Sequence, residues 1–357
     1  AVVQAVVSRG EMGQLLPDDH PRSIATALAL GAASSSCSYA AVAIARAVFR
    51  KGANFTAAMA FEMASTNLVL ELGVILWALM GWQFALAEFV GALLMIIVLA
   101  ALFRLFLRRG LVDRAKAQAE KGIAGRMEGH AAMDMSAAKK GSLWQRVASE
   151  EGLTAISHCF VMDWASLWLD ILGGLLIAGA LAAWVPAGFW QAFFLTGDPL
   201  LAKLIGPLIG PLVAIVSFVC SIGNVPLAAV LWNGGISFGG VISFIFADLI
   251  IIPILVIYRK YYGTKMMLFI LWTFYLTMAA AGYLVEIIFG LLHLVPTTRN
   301  AQVLEPHISW NYTSVLNLIF LALAAVLLWR FFRTGGRQML AMMNGAPDDM
   351  GVEHAHH

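Results

Sequence analysis

Two Cys-Ser pairs, Cys37-Ser38 and Cys220-Ser221, are the residues of this chain with the widest chemical reach. Each interrupts an apolar run. Ser34, Ser35 and Ser36 precede the first pair, and Gly223, Asn224 and Pro226 follow the second. Thiols are soft ligands, and two of them in matching breaks could converge on one soft ion. The plainer role of a Cys is that of a small buried hydrophobe. Carboxylates form a second set. Glu62 and Asp248 lie inside long apolar stretches, where a charge costs about 2.5–3.5 kcal/mol on insertion scales. Both are candidates for ion or proton coupling, and Asn67, beside Glu62, is a candidate polar contact to substrate. A third set is His158-Cys159-Phe160-Val161-Met162-Asp163, with Asp170 further on. Their spacing puts Cys159, Asp163 and Asp170 on one helix face. Asp163 and Asp170 join the coupling candidates. His158 and Cys159 are weak candidates for a soft metal, against a solvated helix end, and no firm metal site is expected.

The elements that position these residues show a repeat. Moving the chain by 183 places lays Ser34 on Ser217, Cys37 on Cys220 and Ser38 on Ser221. Val42, Ala45, Gly52, Phe55, Phe61 and Ala64 then meet Val225, Ala228, Gly235, Phe238, Phe244 and Ala247 without a gap. Composition this biased gives roughly two or three such identities by chance. An internal duplication is the reading. Under the same displacement Asp248 falls on Ser65, one turn from Glu62, so the two carboxylates occupy near-equivalent sites.

Composition sets the class. The chain is 61% hydrophobic and 12% charged, with mean hydropathy +0.81, and several apolar runs reach the ~20 residues that span a bilayer. The lipid bilayer is one partner and a small solute the other; nucleic acid is not, and no cofactor is expected. The three cysteines make no CxxC and no disulfide framework. HExxH is absent, and no catalytic nucleophile–base set is read from the spacing, so no enzyme is expected.

Spans are expected at 53–81, 83–107, 160–184, 236–257, 264–292 and 309–330, with the broken segments at 22–50 and 204–233. The divisions are a first membrane repeat at 1–107, a basic cytoplasmic loop at 108–150, a second repeat with its preceding span at 151–292, a loop and last span at 293–337, and a polar tail at 338–357. The first repeat has no counterpart of the span at 160–184, so a further span is expected before Ala1. Clusters of Lys and Arg face the cytoplasm. That places the segment 108–146, Arg50-Lys51, Arg259-Lys260 and the basic end at 330–337 inside. Gly52 then falls inside and its equivalent Gly235 outside. The expected fold is therefore an all-α polytopic membrane protein of two inverted-topology repeats, each with a broken helical hairpin that is re-entrant, the alternative being that each broken segment crosses fully.

SSSCSYAAVAIARAVFRKGANFTAAMAFEMASTNLVLELG and VCSIGNVPLAAVLWNGGISFGGVISFIFADLIIIPIL, with FVMDW between them, resemble the predicted bacterial permeases related to organoarsenical efflux permeases. The resemblance covers most of residues 22–292. Breaks in that family more often read CSCG followed by Pro, where this chain has CSYA and CSIGNVP, one thiol fewer at each. It implies a multi-pass carrier of the inner membrane that exports trivalent organoarsenicals, with membrane cysteines in recognition. The expected function is export of a small thiophilic solute, such as a trivalent organoarsenical, driven by an ion or proton gradient. Substrate contacts would come from Cys37, Ser38, Cys220, Ser221, Asn224 and Asn67. The alternative is a channel or membrane subunit in which the serines and Asn224 cradle a polar or oxyanionic solute.

Overall fold

The computed structural model describes residues 15–120, 149–158, 198–217, 221–301 and 312–336, with a few further positions between 160 and 184. Cys159, Asp163, Asp170 and Cys220 lie outside the described residues, as do most of the span expected at 160–184, residues 121–148 and the tail from 337. Among the described residues the secondary structure is helical, without a strand.

Helix α1 (Pro21–Ser34) stops where Ser35 turns left-handed at φ 41°, and α2 (Ser38–Arg50) restarts three residues later with Cys37 as its N-cap. Gly52, at φ 105°, ends α2; its amide donates to Phe49 O and that of Ala53 to Val48 O. A left-handed glycine with this bonding is a common helix stop, because glycine meets no Cβ penalty there. Asn54 then caps α3 (Phe55–Asn67) by accepting from the amides of Thr56 and Ala57. Every residue of α3 is buried, which makes it the central helix of its half. After a break at Leu68-Val69 the chain continues as α4 (Leu70–Met80) and α5 (Trp82–Phe106), and α6 (Arg109–Ala119) follows.

The same order returns as α7 (Pro199–Ser217), α8 (Ser221–Gly234), α9 (Phe238–Phe246) with a 3₁₀ turn at Ala247–Leu249, α10 (Ile252–Tyr262) and α11 (Thr264–Leu291). The correspondence extends to single residues. α1 and α7 end at Ser34 and Ser217, α2 and α8 begin at Ser38 and Ser221, and α3 and α9 begin at Phe55 and Phe238, each pair 183 residues apart. Beyond the second break the offset is 182, as Leu70 against Ile252 and Trp82 against Thr264 show. Gly235 repeats the Gly52 stop at φ 113°, with bonds to Trp232 O and from Ile236 to Leu231 O. Ser237 repeats the Asn54 cap.

The equivalent helices α5 and α11 lie against each other in opposite directions. Gly91 of α5 faces Val285 of α11, while Phe103, twelve residues on, packs on Phe269 and Phe274. Their outer faces expose Leu86, Leu93 and Ile97 on one and Leu268, Trp272 and Leu276 on the other. Within the second half the backbones meet directly. A Cβ on Gly239 would sit 2.3 Å from Gly282 O, and one on Gly282 would sit 2.6 Å from Gly239 O. Small residues of this kind let membrane helices approach closely where lipid offers no hydrophobic drive for association.

Helices α5, α7 and α11 are each long and apolar enough to cross a bilayer, and counting each bent pair as one span gives five. The spans expected at 53–81 and 236–257 are each bent: α3 and α4 meet at 40°, and α9 with its 3₁₀ turn meets α10 at 42°. In the first case Ser65, Thr66 and Asn67 donate back to the carbonyls of Glu62 and Met63, which competes with the helical ladder. In the second, the turn tightens to 3₁₀ and Pro253 sits in the first turn of α10, where its missing N–H costs nothing.

The last described helix, α12 (Tyr312–Arg333), is joined to the helix over residues 150–158 by Ser157 Oγ donating to Leu327 O at 2.6 Å. The loop after α11 closes over the Gly235 turn. Arg299 donates to Trp232 O at 2.6 Å and Ile236 O at 2.8 Å and stacks over the Trp232 ring. Asn233 and Ala301 exchange two further bonds of 2.9 Å. The Gly52 turn is held differently, by Asn54 N donating to Leu16 O.

Candidate functional site

The first break and the second half's 3₁₀ turn meet in the interior. Ser38, the first residue of α2, donates its hydroxyl to Asp248 Oδ2 at 2.6 Å, a buried bond across 210 residues of sequence. A second cross-link runs the other way: Tyr258 of α10 donates its hydroxyl to Glu62 Oε1 of α3. Both carboxylates are fully buried. The two halves are thus tied by two hydroxyl–carboxylate bonds, each with its acid in a different half. Bonds to a charged partner are the strong ones, and a buried carboxylate without them would be costly.

The duplication does not reproduce this chemistry in both halves. The positions equivalent to Glu62 and Tyr258 are Ile245 and Leu76, an apolar pair, and Ser65 answers Asp248. The fold is duplicated and the acid chemistry is not.

Around the first break the serines are engaged with one another and with the next helices. Ser34 and Ser36 share a hydrogen bond of 2.8 Å, the Ser36 amide donates to Ser65 O, and Ser35 Oγ donates to Glu71 Oε2 at 2.9 Å. Cys37 is partly exposed, and its Sγ accepts from the Ala40 amide at 3.3 Å. The thiol therefore stands at a helix N-terminus, one residue from the Ser38–Asp248 bond. Asn67 is buried and donates to Met63 O and Thr66 Oγ1, while its Oδ1 has no partner. In the second break, Ser221 begins α8 and Asn224 lies in its first turn, fully buried with neither amide atom paired. His158 hydrogen-bonds Thr334 at 2.7 Å and packs edge-on against Phe331, a contact between the helix over 150–158 and the end of α12.

Sequence reasoning missed two groups. Tyr258 carries no signal in a run of Ile, Val and Tyr; only the missing counterpart in the first half marks it. Glu88, near the start of the span expected at 83–107 and so expected at the interface, is fully buried, and neither of its oxygens has a hydrogen-bond partner. Glu62 and Glu88 each lie within electrostatic reach of Asp248. No group of three His, Cys, Asp or Glu among the described residues is arranged to hold a metal ion. Gly235-Ile236-Ser237-Phe238-Gly239 fits the G-x-S-x-G pattern of a hydrolase nucleophile turn, but Ser237 Oγ accepts from the Gly240 amide as the cap of α9. The turn joins helix to helix, not strand to helix.

A helical membrane protein with unwound, polar breaks in its interior has the construction of many secondary transporters. The comparisons agree. The chain belongs to the ArsP_1 family, described as predicted permease, which it matches over residues 1–287. It is 64% identical over 343 residues to a Mycobacterium tuberculosis protein named "Putative permease Rv2963", covering 96% of this chain and 84% of that one. No solved structure gives a significant match.

Proposed function

We propose that this protein is a carrier of the inner membrane that exports a small thiophilic solute, such as a trivalent organoarsenical, at the expense of an ion or proton gradient. One observation carries the reading. The thiol of Cys37 and the carboxylate of Asp248 are connected through Ser38, whose hydroxyl bonds Asp248 while its backbone adjoins Cys37. A change in the charge or occupancy of Asp248 weakens or strengthens that bond and so moves the start of α2, where the soft ligand sits. In the sequence repeat Cys220 and Ser221 correspond to Cys37 and Ser38, and would supply the second thiol and hydroxyl. Asn224 and Asn67 add polar contacts, and Glu62, Asp163 and Asp170 complete the coupling set with Asp248.

Alternating access in this carrier comes from two repeats of opposite topology. The antiparallel contact of α5 with α11 supports that reading, since equivalent helices running in opposite directions across a bilayer enter it from opposite sides. Its test is cysteine accessibility in a background free of native thiols, with Lys51→Cys and Asn233→Cys reporting on the two turns; Gly52 itself, at positive φ, would be strained by any side chain. Impermeant reagent is expected to label Asn233→Cys from outside and Lys51→Cys only after the cells are opened. Labelling of both from one side sinks the inverted repeat.

Asn224 favours a second reading, in which its unpaired amide and the serines of both breaks hold a polar or oxyanionic solute, as a channel or membrane subunit. Cys37→Ser and Cys220→Ser, alone and together, separate the two in cells lacking other arsenic exporters. Resistance to trivalent arsenicals should drop to the empty-vector level in the double variant. Undiminished resistance would mean that thiol ligation is not how this site works; a parent that confers none hands the site to the polar solute.

A further inference from the structure

We propose that Glu71 stands at the water-filled mouth of the first break and sets the charge class of the solute that reaches Cys37, admitting uncharged or cationic soft solutes and holding off anions. The consequence for substrate rests on the reading of that break as the solute site. Glu71 lies in the first turn of α4 and is exposed. Along the bent span of α3 and α4 it stands roughly 24 Å from Phe55 and roughly 14 Å from Met80, at about 1.5 Å per residue. That depth is inside a hydrocarbon core of about 30 Å.

Exposure at that depth means lipid or water, and the neighbours decide which. Leu70, Val74 and Trp77 are exposed and form one apolar stripe at helical spacing, which suits lipid. Glu71 stands at the edge of the stripe, held by Ser35, whose hydroxyl donates to its Oε2 at 2.9 Å. Ser35 is itself exposed and left-handed, in the unwound stretch between α1 and α2. Two constraints meet at this point. A carboxylate facing hydrocarbon is costly, and unwound backbone persists at membrane depth only inside protein or beside water. A wet opening at Ser35 and Glu71 answers both. Among the described residues no Lys, Arg or His nitrogen pairs with Glu71, so its field acts on whatever enters.

The thiol lies just behind. Cys37 follows Ser35 by two residues, which is at most about 7 Å between Cα atoms. It is half-buried, and Ser38 beyond it is fully buried. An acid in a cleft with low-dielectric walls concentrates cations and depletes anions. The second half has no such group: at the 182-residue offset that holds beyond the bend, Glu71 answers to Pro253.

The test needs no solute. In nanodiscs, full-length protein carrying Cys159→Ser and Cys220→Ser keeps Cys37 as its single thiol. Methanethiosulfonates bearing a trimethylammonium or a sulfonate group attack it by the same chemistry and differ in charge; each rate is taken relative to that with a free thiol in solution. At about 10 Å in water one unit charge changes the rate of a monovalent reagent about twofold, in opposite senses for the two. Glu71→Gln is therefore expected to lower the ratio of cationic to anionic rate about fourfold or more, and Glu71→Asp to keep most of it. Gln still accepts from Ser35, so a role confined to holding the turn leaves the ratio unmoved. In protein without native thiols, Glu71→Cys should react with both charged reagents several-fold faster than Val74→Cys, one turn along in the apolar stripe. An unchanged ratio in Glu71→Gln, no reaction at Cys37 with either reagent, or equal rates at positions 71 and 74 overturns the proposal. If both arms read as expected and the parent moves no arsenical in cells, the thiophilic carrier falls and the charged mouth stands.

Discussion

Gradient-driven transport is expected to fall by about tenfold or more, at least 1.4 kcal/mol, in both Glu62→Gln and Asp248→Asn, with solute binding little changed. The geometry separates the two effects. Glu62 accepts through Oε1 from Tyr258, and Asp248 accepts through Oδ2 from Ser38. An amide keeps the size of the acid and an oxygen that accepts the same bond, so the links between the halves survive. What it loses is the ability to take up and release a proton or to hold a cation. Proteoliposomes make the distinction measurable: uptake driven by a pH or sodium gradient should collapse, while exchange of labelled for unlabelled trivalent arsenical across the same membrane persists. Transport at the parental rate in both variants would remove these carboxylates from the mechanism.

Gly282→Val is expected to abolish the folded protein. Helices α9 and α11 touch backbone to backbone, with a Cβ at 282 placed 2.6 Å from Gly239 O and 2.9 Å from Ser243 Cβ. A carbonyl within a helix cannot step aside as a flexible side chain can, so the two helices must separate. Overpacking typically costs 1–3 kcal/mol, occasionally more, and here separation also endangers the bond from the Gly239 amide to Glu286 and the packing of Phe238 on Phe289. Fluorescence-detected gel filtration should show the monodisperse peak lost. Gly290→Ala, on the same helix with nothing within 4 Å of its added Cβ, should run as the parent. A normal peak for Gly282→Val would mean that these helices do not meet as described.

Much of this architecture is legible in the amino-acid sequence. The displacement that lays Cys37-Ser38 on Cys220-Ser221 also locates the helix ends at Ser34 and Ser217, because serine clusters and repeated glycines are local signals with local causes. The bends at Leu68-Val69 and Ile250-Ile251 are not legible in the same way. The bends themselves fall in Leu, Val and Ile, with Asn67 before the first and Pro253 after the second, in stretches apolar enough to read as membrane helix, and the first bend comes from side chains bonding back to carbonyls one turn earlier. Glu88 shows the limit more sharply. Nearness to the end of an expected span suggested a depth, but which way a helix faces decides burial, and that is set by Phe246 and Val285 from distant segments. The bonds from Ser38 to Asp248 and from Tyr258 to Glu62 likewise depend on how the halves interlock, which no spacing within either half encodes.

The loop that closes over the Gly235 turn has a further consequence. A pair of identical halves that trade shapes during a cycle would give two end states of equal free energy, and the molecule would rest open to either side equally. In the carrier proposed above, Arg299 would break that degeneracy. Its two carbonyl bonds and its stacking on Trp232 act on one half only, and among the described residues nothing at the first half's turn, held through Leu16, matches them. With tenfold in population for each ~1.4 kcal/mol, a few such contacts are enough to set which side the empty carrier faces. On that reading, resting orientation would be controlled by a segment outside the repeats and could drift in evolution without any change to the residues proposed to meet the solute.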